Sequence, residues 1–193
     1  MVKDAFPSAK IIATQATADG MPATMTPAMI SSTWEKLFPN QLPNKINGAD
    51  EVVNDSLDLE GHLIEIIENG FTDTHDTTSL WIPDLKLIIA GDVTYNGIHS
   101  YLAETTQDAR NNWIKDNQKM KRLQPEHVVA GHRIPENDDD PIILDKTIQY
   151  LEDFNRLAQK AKTPESLFEQ MLALYPDFIN PGSLWSAAHS IIR

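Results

Sequence analysis

Asp92 and His132 each stand directly after a glycine at the end of a short apolar run, "KLIIAGD" and "HVVAGH". A carboxylate and an imidazole so placed are candidate metal ligands or bases, because layered α/β folds commonly hold ligands at the carboxyl edge of the sheet. The alternatives are that Asp92 caps the turn after its strand and that His132 hydrogen-bonds within its loop. His75 lies in "FTDTHDTTS", where Asp73 and Asp76 could orient its ring as partners of a metal ligand. His99, after "TYNGI", either lines a substrate pocket or caps the helix that follows. His62, His127 and His189 read as structural. There is no cysteine, so a metal would have to rest on histidine and carboxylate, and thiolate chemistry is closed.

The elements that must position these residues follow from the spacing of apolar side chains. "AKIIAT" reads as a short buried strand. Over 27–38, Met29, Ile30, Trp34, Leu37 and Phe38 recur at helical spacing, and "FPNQLPNKINGAD" then breaks the pattern. A β region follows in "SLDLEGHLIEIIENG", "TTSLWIP" and "LKLIIAGD", with turns at Gly61, Gly70 and Pro83-Asp84. Beyond it the chain is mostly helical. Ala109, Trp113, Met120 and Leu123 share one face of a helix over 104–123, and "EHVVAGH" is a short strand. Asp140-Pro141, Thr163-Pro164 and Asn180-Pro181 each place a capping residue before a proline suited to the first helical position. Leu144, Ile148, Leu151 and Phe154 give the first of those three helices its apolar face. With no repeat, linker or low-complexity tract, 1–193 reads as a single domain with a helical tail over about 140–193.

Composition narrows the function classes. A chain of 193 residues with 41% hydrophobic and 23% charged residues is ordinary for a globular domain. Its net charge of −12, from 16 basic and 28 acidic residues, argues against nucleic acid as a partner. No run approaches the length of a membrane span and the start lacks a secretory pattern, so the expectation is a cytoplasmic protein with no membrane partner. Walker-type glycine loops, Gly-x-Ser-x-Gly, Gly-x-Gly-x-x-Gly and His-Glu-x-x-His are all absent.

The blocks "GFTDTHDTTSLWIPDLKLIIAGDVTYNGIHSYLAE", "HVVAGHRIPENDDDP" and "MLALYPDFINPGSLWSAA" occur in an order that resembles the metallo-β-lactamase superfamily, in its branch of generic metal-dependent hydrolases. "DAFPSAKIIATQAT" resembles the segment that follows that family's first metal motif. The resemblance implies an α/β (α+β layered) fold, an αββα sandwich of two sheets with helices outside. It also implies a metal-activated hydroxide that attacks an ester, amide, lactone or thioester carbonyl.

Carried over by position, Asp92 matches the family's bridging carboxylate, which orients the reaction, and His132 its last histidine ligand. The middle ligand is usually a histidine in a Gly-His-Thr/Ser context, and here that slot reads Gly70-Phe71-Thr72. Phenylalanine cannot coordinate, and His75 is the substitute within reach if the loop folds back. The hallmark His-x-His-x-Asp-His is not present, so the expectation is a chain lacking the family's N-terminal part, impaired or inactive as a hydrolase. A complete four-ligand zinc site provides about 10–16 kcal/mol, so two ligands, crudely half, hold zinc with a Kd on the order of 100 μM to 1 μM. Zinc is therefore expected to be weak or absent, with iron or manganese also suited to such donors. The alternative is a non-catalytic remnant or binding module, and an uncovered sheet would favour a homo-oligomer or a partner chain.

Overall fold

The computed structural model describes residues 5–24, 26–42 and 47–192. The "FPNQLPNKINGAD" break lies in part outside them, as does the first residue of "DAFP". The chain clusters into two compact units, Met1–Ser56 and Leu57–Arg193, where the sequence alone reads as a single domain.

In the first unit, β1 (Ile12–Ala13) pairs in parallel with β2 (Glu51–Val52), and α1 spans Gln15–Thr24. The strand expected to be buried is half open, with Ile12 40% exposed. The helix expected over 27–38 forms as α2 (Pro27–Met29), a wider π-turn (Ile30–Trp34) and α3 (Glu35–Leu37). Thr26 caps it by accepting from the Met29 amide at 3.2 Å. Its apolar side chains do not form a core face: Met29, Trp34, Leu37 and Phe38 are all exposed.

The second unit carries a five-stranded sheet in the order β3 (Ser56–Leu59), β4 (His62–Gly70), β5 (Thr77–Ile82), β6 (Leu87–Asn96) and β7 (His127–Arg133). β5 runs antiparallel to both β4 and β6, whereas β6 and β7 are parallel. A parallel pair needs a long crossover, supplied here by α4 (Gln107–Arg122). α5 (Ile142–Ala158), α6 (Pro164–Leu174) and α7 (Pro181–Ile191) follow, with α4 and α5 against β6 and α6 and α7 against one another. Side chains alternate across the strands. Trp81, Ile88, Ala90 and Val128 therefore enter one core with Trp113, Met120, Leu144 and Phe154. The opposite face carries cross-strand Ile66, Leu80, Ile89 and Val129, of which Ile89 is 42% exposed.

Two of the three expected caps fall where the sequence places them. Thr163 accepts from the Ser166 amide at 3.2 Å ahead of Pro164. Asn180 precedes Pro181 but in a left-handed conformation, its amide donating to the Ser183 hydroxyl at 2.9 Å. At Asp140-Pro141 the helix begins one residue later than expected, because Asp140 accepts from the Ile142 amide at 2.8 Å and leaves Pro141 in the capping position.

Candidate functional site

β6 does not end at Asp92, as the apolar run suggests, but continues to Asn96. Gly91 opposes Ala130 on β7, and the next paired residue is Tyr95, opposite His132. Asp92, Val93 and Thr94 of β6 thus face Gly131 alone on β7, in a bulged stretch whose register already shifts between Ile89 and Gly91, the latter in the left-handed conformation (φ +56°). Backbone groups that lose ladder partners in a bulge need others, and the helices provide them. The Trp113 indole donates to Val93 O at 2.7 Å, and Asn117 Nδ2 donates to the same oxygen at 3.0 Å. Asn117 Oδ1 accepts from the Thr94 hydroxyl at 2.9 Å, and Thr147 Oγ1 accepts from the Tyr95 amide at 3.2 Å.

The bulge turns Asp92 toward β7, with its Oδ1 3.4 Å from His132 Nε2. Both side chains are half open to solvent, 42% for Asp92 and 54% for His132. Such an exposed, long contact contributes little stability of its own. Gly131 makes the approach possible, since a Cβ there would lie 2.2 Å from Asp92 Oδ1. Tyr95, the cross-strand partner of His132, stacks its ring on the imidazole at 5.2 Å between centroids.

Asp73 completes the setting and was legible in the sequence only as a companion of His75. It is nearly buried, and its Oδ1 accepts from the Thr72 hydroxyl at 3.1 Å and the Thr74 amide at 2.9 Å. Burial, then the charge of Asp92, push its carboxyl above the ordinary range. The Tyr95 hydroxyl is pushed up by burial first, then by the charges of Asp73 and Asp92. Strict alternation along β6 sets Tyr95 on the face opposite Asp92; the bulge is what brings both to His132, and no local signal in the sequence announces it.

Of the four singled-out residues, the structure brings Asp92 and His132 together. His75 is exposed and packs edge-on against Phe71, with ring centroids 4.4 Å apart. Among the described residues no group of three His, Cys, Asp or Glu side chains is placed to hold a metal ion. Beside the Asp92 carboxylate and the His132 imidazole the site holds the Asp73 carboxylate, whose Oδ1 is engaged by Thr72 and Thr74, and a phenylalanine stands where the resemblance implies a further histidine donor.

His99 lies elsewhere. It has no exposed surface, its Nδ1 is 3.0 Å from the Tyr150 hydroxyl, and its Nε2 has no partner among the described residues. Phe178 and Tyr150 flank its ring at 5.7 and 5.8 Å. This is a core position under α5 and the 174–180 turn rather than the wall of an open pocket. Burial lowers its pKa to about 4. The unfolded chain, with a histidine near 6.5, therefore binds this proton first as pH falls. Stability is then lost from about pH 6.5 down to about 4, by about 3 kcal/mol in all. Asp116, raised to about 6 by burial, works in the opposite sense over part of that window. The check is therefore the difference between the urea stability curves of the parent and a His99→Gln variant across this pH range. Parallel curves would show that His99 titrates alike folded and unfolded.

Among the described residues no helix is long and apolar enough to cross a membrane. A search of curated protein sequences finds no match. Solved structures do match. A metallo-beta-lactamase family protein from Thermus thermophilus superposes with a TM-score of 0.58 at 11% identity, over 94% of this chain and 64% of that one. A metallo-beta-lactamase from Pontibacter korlensis does so with a TM-score of 0.54 at 17% identity, over 78% of this chain and 61% of that one. The chain thus spans a little over six-tenths of the length of these neighbours, and at such identities the likeness is one of fold. The model of the metallo-beta-lactamase superfamily itself matches residues 6–132, more than half of the sequence and a span that includes Asp73, Asp92 and His132, and the chain belongs to that superfamily.

Proposed function

We propose that this chain presents one wall of a superfamily-type carbonyl hydrolase site, in which Asp92 and His132 are the polar pair, and that by itself it holds no catalytic metal. The reading rests on one observation: among the described residues no third side chain is placed with the 3.4 Å Asp92–His132 contact to hold a metal, the Asp73 carboxylate being engaged by Thr72 and Thr74. Members of the superfamily usually bind metal ions such as zinc, and a hydrolase is the activity that membership makes plausible. Two donors correspond to a Kd on the order of 100 μM to 1 μM, too weak to retain zinc through a desalting column.

The test is metal content after incubation with zinc and gel filtration, read by mass spectrometry. The expected result is well under one zinc per chain, and no turnover of an activated ester or lactone. Two retained ions, or turnover abolished by a chelator, would overturn the reading. Phe71→His restores an imidazole to the empty slot and should strengthen zinc binding by about 3 kcal/mol, on the order of a hundredfold. An unchanged zinc affinity in that variant would show that Phe71 does not occupy a ligand position.

A second reading is favoured by the apolar strip of Ile66, Leu80, Ile89 and Val129 on the far face of the sheet. Partly open strips of this kind favour association, and a second copy of the chain would cover it as one sheet of a sandwich covers the other. Light scattering should then give a mass above 21.7 kDa. A monomer at every concentration removes this second reading.

A further inference from the structure

Arg110 is 3% exposed, and buried arginines ordinarily face a carboxylate. This one does not. Its Nε donates to Asn155 Oδ1 at 2.6 Å, and its Nη1 donates to Thr105 O at 3.2 Å and Thr105 Oγ1 at 2.7 Å. Its guanidinium carbon lies 5.1 Å from the centre of the Phe154 ring. Every partner is neutral. Burial alone lowers its pKa, to about 10, with no carboxylate opposing the shift. Nη2 makes no hydrogen bond among the described residues. The fully enclosed polar atoms left without a partner are Asn69 Oδ1 and His99 Nε2, so Nη2 is unpartnered but reachable.

What it reaches is a cavity of about 380 Å³ between the start of α4, the end of α5 and α7, bounded by Arg110, Thr105, Thr106, Gln107, Asn155 and Ser190. Among the described residues no acidic side chain lines it. Asp108, in the first turn of α4, is exposed and not part of the wall. The first amides of α4 have no carbonyl to bond within the helix and carry the positive end of its dipole. Thr106 spends its oxygen on the Ala109 amide at 3.1 Å, which leaves its hydroxyl proton to donate. Ala158 and Ile191 form an apolar side of the same cavity, which falls within the size range of small-molecule sites.

We propose that this cavity binds a small organic carboxylate, its anionic head on Arg110 Nη2 and the first turn of α4, its apolar body against Ala158 and Ile191. A buried cation without a counter-ion is costly, and a monoanion neutralises it one for one. A phosphate dianion would leave a surplus negative charge inside a chain already at −12. The site is separate from the Asp92–His132 pair and does not depend on the hydrolase reading.

The test is calorimetric titration of the full chain with benzoate, beside its uncharged analogue benzamide and inorganic phosphate. One saturable benzoate site per chain is expected, with benzamide and phosphate each at least about tenfold weaker, as expected when one charged contact decides affinity. Gln107→Glu sets a negative charge at the mouth from an exposed position and should weaken benzoate at least about tenfold without altering the circular dichroism spectrum. Arg110→Gln should abolish binding; if that variant does not fold, Gln107→Glu decides alone. Absence of saturable benzoate binding, equal binding of benzamide, phosphate binding as tight as benzoate, or indifference to Gln107→Glu would each overturn the proposal.

Discussion

Gly131→Ala is expected to destabilise the second unit by about 3 kcal/mol and to drive Asp92 away from His132. The added Cβ would sit 2.2 Å from Asp92 Oδ1, 2.7 Å from Gly91 C and 2.9 Å from Gly91 O. A carboxylate can swing aside, but the two Gly91 atoms are backbone of the bulge, held between Ala130 and the helices. Relief therefore requires β6 and β7 to separate where the site lies. Urea unfolding reads the stability, and the His132 ring signals in NMR read the displacement. Gly182→Ala is the control. Its nearest contact would be Asn180 Oδ1 at 3.7 Å, and it lies in the first turn of α7. That change should raise stability by a few tenths of a kcal/mol and at most about 1 kcal/mol, because alanine suits a helix better than glycine. If Gly131→Ala stays within about 0.5 kcal/mol of the parent, as surface substitutions do, the close packing of Gly131 against the bulge is refuted.

Trp113→Ala should cost more, about 4 kcal/mol, and lower Tm by roughly 10 °C. The side chain has no exposed surface and lies in the core between α4 and the sheet, with the Tyr95 ring 6.1 Å from its own. Its removal leaves a cavity too deep in packed helices to collapse, and it deprives Val93 O of the 2.7 Å indole bond. Trp113→Phe separates the two effects. Most of the volume is kept, Asn117 still donates to Val93 O at 3.0 Å, and the loss should be about 1–2 kcal/mol. Differential scanning calorimetry of the three proteins settles the order. Equal Tm values for the parent and Trp113→Ala would mean that α4 does not clamp the bulge.

Both variants act on the same object, the mismatch between β7 and β6 that sets Gly131 alone against Asp92, Val93 and Thr94. The mismatch shapes the candidate site. It aims Asp92 across the sheet edge, brings Tyr95 over the imidazole, and draws polar side chains of α4 and α5 into an otherwise apolar layer. The burial of Asn117 and Thr147 is explained by the backbone of Val93 and Tyr95 and the Thr94 hydroxyl that they bond.

Much of this was legible in the order of residues. The apolar runs around Ile66, Leu80, Ile89 and Val129 mark strands, because a two-residue period can bury a face in only that way. The 104–123 helix shows in the spacing of Trp113 and Met120, and its core side follows from that spacing. Asp92 and His132 stand out because a glycine before a polar residue at the end of an apolar run frees the backbone to turn. The absence of a donor at Phe71 is likewise a fact of composition, needing no coordinates.

Other features belong to the tertiary structure alone. Periodicity assumes an unbroken ladder, so it stops β6 at Asp92 and sets Tyr95 on the wrong side; only the pairing with β7 reveals the bulge. The apolar spacing of Met29, Trp34 and Leu37 promises burial, yet burial depends on a partner surface that the segment's own sequence does not specify. His99, by its neighbours in sequence a pocket-lining or helix-capping residue, is enclosed by Tyr150 and Phe178, from α5 and the turn beyond α6. Nothing in the residues around it singles out Arg110. Its neutral partners among the described residues, Thr105 and Asn155, are set by how α4 and α5 pack, which local sequence does not encode.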